Sequence, residues 1–319
     1  MILEKSLAKQ NILTNNKKVL PIAKENAANA KHFNKIKGQL LDPLAMDLAN
    51  KIQWEYLNSI SINDSDPYPI AITGQGPPIL LLHGFDSSFL EFRRLVPFLS
   101  KNHKLLIPDL FGFGFCPRPR EANYCLDQMV LHLNAVLDQF AAEKPVGLIG
   151  ASMGGALAME LARRHPQKVN RLLLLSPAGL TGGAMPIPRP LDQLGVWFLK
   201  QRFVRKALCR KAFADPINNV GPPEEQIASF HLNVTDWGRS LAAFARNGGL
   251  ANCGNPLPTQ PLHVIWGAQD KILSQTQKQE SINLLVHHFE ELEDCGHLPH
   301  IDNPKAVAER WLSLSINVQ

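Results

Sequence analysis

From Pro69 onward the chain alternates short apolar runs with stretches whose apolar positions recur at helical spacing. The runs predict strands over 69–73, 79–82, 103–107, 145–149, 171–175, 261–266 and 287–292, and helical stretches lie at 91–100, 124–142, 154–165, 275–286 and 304–316. Most of the strands are apolar at every position, as in Leu172 to Leu175, which is the pattern of strands covered on both faces. Strand, helix, strand in repetition predicts an α/β fold built on a mostly parallel, doubly wound sheet.

Two regions break this rhythm. Residues 181–260 are rich in Pro and Gly and carry amphipathic helices of their own; the segment is too long for a loop and predicts an inserted helical cap. Residues 1–66 form a basic N-terminal extension, of which 1–40 lack sustained periodicity and read as a flexible or loosely held appendage. Within the extension, Asp42 as a cap, Pro43 at the first helical position and Leu44, Leu48, Ile52 and Tyr56 along one face predict a single amphipathic helix. The core is then 67–180 together with 261–319.

The 319 residues are 45% hydrophobic and 19% charged, a globular composition that excludes wholesale disorder. The longest aliphatic runs, Ile79 to Leu82 and Leu172 to Leu175, are far short of the roughly 18 apolar residues of a membrane span. The formal charge of +5 is unevenly placed: residues 1–37 hold eight lysines against Glu4 and Glu25, leaving the remainder close to neutral. A basic tail on a near-neutral body predicts a solvated arm or peripheral contact with anionic lipid, not nucleic-acid binding. Five cysteines without C-x-x-C spacing argue for a reducing compartment and against a disulfide framework or a zinc site. There is no apolar h-region at the N-terminus and no arginine before Arg93, so secretion is not expected.

The chemistry lies where Val146 to Ile149 runs into Gly150-Ala151-Ser152-Met153-Gly154-Gly155 and then a helical stretch. G-x-S-x-G between strand and helix is the pattern of a nucleophile elbow, a sharp turn that strains the serine backbone and leaves room only for glycine on either side. Such a turn exposes the Ser152 hydroxyl at the carboxyl edge of the sheet and aims the Met153 N–H at a developing oxyanion; the bland alternative is a tight turn without chemistry. Serine is a weak nucleophile without a base, so the reading demands a histidine and an acid further along. Asp270 follows the strand at 261–266, and His297 follows the last strand in Asp294-Cys295-Gly296-His297-Leu298-Pro299-His300. Of eleven histidines His297 is preferred to His300, which would open the next helix, and Asp270 to Glu293 and Asp294, which stand too close to His297 to be a separate arm. Asp109 reads as a loop organiser.

The second oxyanion donor should come from the loop after strand 79–82, His83-Gly84-Phe85-Asp86: Gly84 allows close approach, Phe85 supplies the N–H, and His83 reads as a structural imidazole. With these motifs in place, Pro69 to Trp311 resembles a serine α/β-hydrolase, and the order Ser152, Asp270, His297 is that of the family. His83 to Arg93 and Asp294 to His300 are most similar to the chlorophyll dephytylase and pheophytinase group, although the serine turn is closer to the general esterase form. The resemblance implies an α/β-hydrolase fold with a cap, no cofactor or metal, and a small-molecule, hydrophobic ester as substrate, such as the phytyl ester of chlorophyll or pheophytin. It implies a location in the cytoplasm or peripheral to an intracellular membrane such as the thylakoid. In the cap, Trp197, Phe198 and Phe203 stand among basic residues; they are candidate substrate contacts, or pack the cap onto the core, or meet a membrane surface. The same triad also suits C–C bond, amide or lactone hydrolysis or acyl transfer, and a silent ligand receptor is the alternative of another class.

Overall fold

The computed structural model describes residues 27–57, 66–285 and 288–314. Its elements are, in chain order, α1 (Ala28–Ile36), α2 (Pro43–Ala49), β1 (Ile52–Glu55), β2 (Tyr68–Thr73), β3 (Pro78–Leu82), α3 (Val96–Leu99), β4 (Lys104–Pro108), α4 (Leu126–Phe140), β5 (Val146–Ala151), α5 (Met153–Arg164), β6 (Val169–Leu175), α6 (Leu191–Lys200), α7 (Arg202–Ala212), α8 (Pro216–Asn219), α9 (Pro222–Ile227), α10 (Trp237–Arg246), β7 (Leu262–Gly267), α11 (Gln275–Leu284), β8 (Phe289–Leu292), α12 (Pro299–Asp302) and α13 (Pro304–Ser313). A 3-10 turn over Phe89–Arg94 precedes α3, where the sequence pattern predicts one continuous helix.

The strands form one eight-stranded sheet in the order β1-β2-β4-β3-β5-β6-β7-β8. β2 is antiparallel to both β1 and β4, and every other pairing is parallel. Alternation along the central strands explains their continuous apolar runs. Leu80, Leu82, Leu106, Leu148, Leu172 and Leu174 enter one core with α4 and α5. Ile79, Leu81, Leu105, Ile149, Leu173 and Leu175 enter the other, which includes Phe33, Leu48 and Trp311. With both faces covered, the middles of the central strands are apolar, and polar residues such as Lys104, Asn170, Arg171 and His263 stand toward their starts.

Two expectations for the N-terminal extension are corrected. The helix begins as expected, the Asp42 carboxylate accepting the Leu44 and Ala45 N–H groups at 2.9 and 3.3 Å, but it ends at Ala49. Ile52–Glu55 instead pairs with β2, placing buried Trp54 against Phe33 with ring centroids 6.2 Å apart. The four-residue spacing is shared by a helix stripe and by alternate positions of a strand, and edge pairing decides between them. Residues 27–40 are not a loose arm: α1 buries Ala30 and Phe33, and Phe33 meets Phe115 at 4.8 Å. Residues 1–26, with five of the eight N-terminal lysines, lie outside the described residues.

Between β6 and β7, residues 181–260 carry helices α6 to α10, the segment expected as a cap. Asp86, in the loop after β3, ties this segment to the sheet. Its carboxylate accepts the Arg205 guanidinium, His231 Nε2 at 2.9 Å and Trp237 Nε1 at 2.8 Å. Burial alone would raise the Asp86 pKa, but the charges and hydrogen bonds of His231 and Arg205, with Trp237, hold it below the usual carboxylate range.

Candidate active site

β5 ends in the strained turn that its glycines permit. Ser152 has φ 50° and ψ −117°, outside the regions an ordinary residue adopts. A Cβ on Gly150 would lie 2.4 Å from the Gly154 carbonyl oxygen, and one on Gly154 would lie 2.1 Å from that of Leu82. The turn therefore packs backbone on backbone, and α5 starts at Met153 directly beneath the hydroxyl. Ser152 N–H is anchored to the Leu175 carbonyl at 2.9 Å.

Parallel pairing of β5, β6, β7 and β8 brings their following loops to the same edge of the sheet. Ser152 Oγ lies 2.9 Å from His297 Nε2, and His297 Nδ1 lies 2.9 Å from Asp270 Oδ2. The other Asp270 oxygen accepts the Ile272 and Leu273 N–H groups at 2.8 and 3.2 Å. Burial pushes the Asp270 pKa up, but His297 and these two N–H groups outweigh it and hold the group below the usual carboxylate range. An ionised Asp270 accepts a hydrogen bond from Nδ1–H and so leaves the Nε2 lone pair facing Ser152. The His297 backbone N–H donates at 2.9 Å to the carbonyl of Ala212, the last residue of α7, so the 181–260 segment also holds the histidine loop.

Opposite Ser152, the loop after β3 is held from below. The Gly84 N–H lies 3.2 Å from both oxygens of buried Glu91, and His83 Nδ1 donates to the Gly84 carbonyl at 2.8 Å. His83 Nε2 accepts the Leu110 N–H at 3.0 Å, which requires a neutral ring, and burial lowers its pKa to about 4. Asp109 accepts the Phe89 and Phe115 N–H groups, both at 2.6 Å, and burial raises its pKa to about 7. Among the described residues neither the Phe85 nor the Met153 backbone N–H has a protein acceptor.

A cavity of about 220 Å³ opens over these groups, bounded by Gly84, Phe85, Ser152 and His297 from the strand ends and by Leu199 and Leu208 from α6 and α7. A second, of about 80 Å³, shares the walls at Cys209, Ala212, Ala228 and Leu298 and ends on Phe213, Ile227 and Ile301. The expected cap contacts are not among the residues lining either cavity: Trp197, Phe198 and Phe203 point outward. The α6 stripe has its inner face at Val196 and Leu199, which a reading of aromatic content alone does not distinguish.

Sequence reasoning missed Asp86 and Glu91. Glu91 stands alone in the apolar run Phe89-Leu90-Glu91-Phe92, and a buried carboxylate needs partners, which was a usable signal. It has them in the Gly84 N–H and in His300, whose Nε2 lies 3.2 Å away. The Asp86 partners are 119 to 151 residues distant in sequence and leave no local trace.

A profile of the alpha/beta hydrolase family matches residues 79–310. The chain belongs to that family. The 2-hydroxymuconate semialdehyde hydrolase of Pseudomonas sp. (strain CF600) is 35% identical to this hydrolase over 258 residues, covering 76% of this chain and 86% of that protein. The alpha/beta hydrolase domain-containing protein VTE7 of Arabidopsis thaliana is 27% identical over 259 residues, 78% of this chain and 77% of that one. Among solved structures, an esterase from Exiguobacterium antarcticum superposes with a TM-score of 0.67 at 19% identity, covering 82% of this chain and 98% of that chain. Its eight-stranded sheet and helices thus have the alpha/beta hydrolase fold, and the protein is a hydrolase of that family.

Proposed function

We propose that this hydrolase cleaves a neutral, hydrophobic carboxylic ester through an acyl-enzyme on Ser152. The observation that carries the reading is the hydrogen-bonded line from Ser152 Oγ through His297 to Asp270. Ser152 Oγ attacks the ester carbonyl carbon as His297 Nε2 takes its proton, and ionised Asp270 stabilises the imidazolium through Nδ1. The N–H groups of Phe85 and Met153 receive the oxyanion. The tetrahedral centre collapses, breaking the bond to the alkoxy oxygen, which leaves as alcohol with the proton from His297. A water deprotonated by the same nitrogen then attacks the acyl carbon and releases the acid, restoring Ser152.

The similarity to a 2-hydroxymuconate semialdehyde hydrolase supports a second reading, C–C bond cleavage of an anionic substrate. The charges on the cavity wall weigh against it. Among the described residues lining the two cavities the Lys and Arg side chains are Arg205, neutralised by Asp86, and Arg93, held between Asp42 and Glu224. Glu91 is held below the usual carboxylate range by His300, with a hydrogen bond from Ser87, against the upward push of burial, so the wall carries a further carboxylate. A neutral ester meets no such opposition. At about 220 and 80 Å³ the cavities fall below the ~300 Å³ of pockets that enclose a whole drug-sized ligand, so one arm of the ester enters and the other stays at the mouth. A prenyl ester such as the phytyl ester of a chlorin fits that division when its alcohol chain enters, and a simple long-chain ester fits it when its acyl chain does.

Ser152→Ala is expected to abolish turnover of p-nitrophenyl acyl esters and labelling by a fluorophosphonate probe. A variant that retained both would remove the mechanism. Parallel assays with pheophytin a, reading free phytol, and with 2-hydroxymuconate semialdehyde separate the substrate classes: faster turnover of the dienoate would overturn the neutral-ester reading and leave the nucleophile in place.

A further inference from the structure

The cap helix α6 is built the wrong way round for a helix facing water. Its inward side holds Asp192, Val196 and Leu199, with Asp192 buried and paired to Arg246. Its outward side holds Leu191, Leu194, Trp197 and Phe198, all exposed, spread over an arc of about 120° at ~100° per residue. A surface helix ordinarily reserves that arc for polar side chains. Phe203, 68% exposed at the start of α7, extends the patch, its ring 6.3 Å from that of Phe198. Five large apolar side chains together exceed the scattered apolar surface that needs no explanation.

The charges beside this patch have one sign. Lys200, Arg202, Lys206 and Lys211 are exposed and Arg210 is half-buried, while Asp192 and Arg205, each held in an ion pair, are buried. Lys206 is bridged to Glu225 at 2.9 Å; among the described residues the other four have no carboxylate within reach. A second copy of this chain seated on the patch would oppose five cations with five more. An anionic lipid surface satisfies both features at once, accepting the apolar side chains among its acyl chains and the cations at its headgroups.

We propose that the outward face of α6 and α7 docks this hydrolase on an anionic bilayer. Leu199 and Leu208, on the same two helices, wall the cavity over Ser152, so the docked face and the site are built on the same helices. The docking claim stands on surface geometry and is independent of which bond the site cleaves.

The protein carries its own reporter. Of its five tryptophans, Trp54, Trp237, Trp266 and Trp311 are buried and Trp197 is 63% exposed. With vesicles of phosphatidylcholine and phosphatidylglycerol in equal parts, the full chain is expected to co-sediment. Its emission should shift to the blue and be quenched by brominated lipid, with all three effects weakened by added salt. Vesicles of phosphatidylcholine alone should bind less. Leu194→Glu with Phe203→Glu should weaken co-sedimentation roughly tenfold or more with an unchanged thermal transition, and Trp197→Phe should sediment normally without the spectral shift. Three results would overturn the proposal. One is sedimentation undiminished in the double glutamate variant, which would assign binding to the lysine-rich N-terminus. Another is sedimentation with no change in Trp197 emission. The third is a patch-dependent dimer, broken by the glutamates, that ignores the vesicles.

Discussion

Replacing Asp270 with Asn tests the site most sharply, because it changes charge and tautomer while keeping shape. Asp270 Oδ1 accepts two backbone N–H groups, from Ile272 and Leu273, and Oδ2 faces His297 Nδ1. An asparagine can keep the first two bonds only by turning its carbonyl oxygen toward them, which aims its NH2 at Nδ1. The ring then places its proton on Nε2, where it points at Ser152 Oγ and can no longer accept the hydroxyl proton. The electrostatic loss is of the same kind. A unit charge 2.9 Å from the imidazolium is worth about 6 kcal/mol at an effective dielectric constant of about 20. That agrees with the ~10⁴-fold fall in kcat, about 5.4 kcal/mol, seen when a triad acid becomes its amide. The assay is steady-state turnover of a p-nitrophenyl acyl ester, with kcat and KM separated, beside the rate of fluorophosphonate labelling. Asp270→Asn should lower kcat by about four decades, leave KM within a few-fold, and slow labelling in parallel. A fall of less than tenfold, or one residing in KM, would refute the assignment of Asp270 to the reaction.

Three further outcomes follow from buried groups. Asp86→Ala leaves the Arg205 charge buried without its partner and should destabilise the fold by about 3–5 kcal/mol in urea denaturation; a loss below about 1 kcal/mol would mean that the contact does not hold the segment. His132, fully buried with no hydrogen-bond partner among the described residues, has its pKa lowered by burial to about 3. Its contribution is complete above the unfolded value of 6.5 and lost as pH falls toward 3, so His132→Leu should flatten stability against pH by about 1.4 kcal/mol per unit near pH 5; an unchanged slope would place the proton elsewhere. Cys209→Phe adds bulk where the two cavities share a wall and should shorten the preferred acyl chain in kcat/KM across a p-nitrophenyl ester series, whereas an unaltered profile would separate the inner cavity from the substrate.

The legible part of this molecule is whatever physics writes locally. Strands buried on both faces are apolar through their middles, so β3 to β7 stand out as runs, located to within two residues of their observed ends. The elbow is legible because backbone contact at Gly150 and Gly154 admits no side chain. Asp270 and His297 are legible only in combination, as polar residues after two strands whose parallel pairing turns them toward Ser152. Features set by distant partners are not legible. Ile52–Glu55 becomes a strand because β2 offers an edge, residues 27–40 are ordered because Phe33 fills a space between Trp54 and Phe115, and the outward turn of Trp197 depends on Asp192 finding Arg246.

The contacts of α7 decide how the 181–260 segment relates to the chemistry. Arg205 and Ala212 stand seven residues apart on that helix, two turns or about 10 Å along its axis. Arg205 grips Asp86, the residue after Phe85, and the Ala212 carbonyl accepts the His297 N–H. One rigid rod therefore spans from the loop carrying one proposed oxyanion donor to the loop carrying the proposed base. A swing of α7 away from the sheet would break both contacts together, leaving the Asp86 carboxylate without the guanidinium and the His297 N–H without an acceptor. Opening by such a swing thus conflicts with a working site. The cavity, which is already partly open with Leu199 and Leu208 on its wall, therefore admits substrate with the helix that carries Arg205 and Ala212 in place.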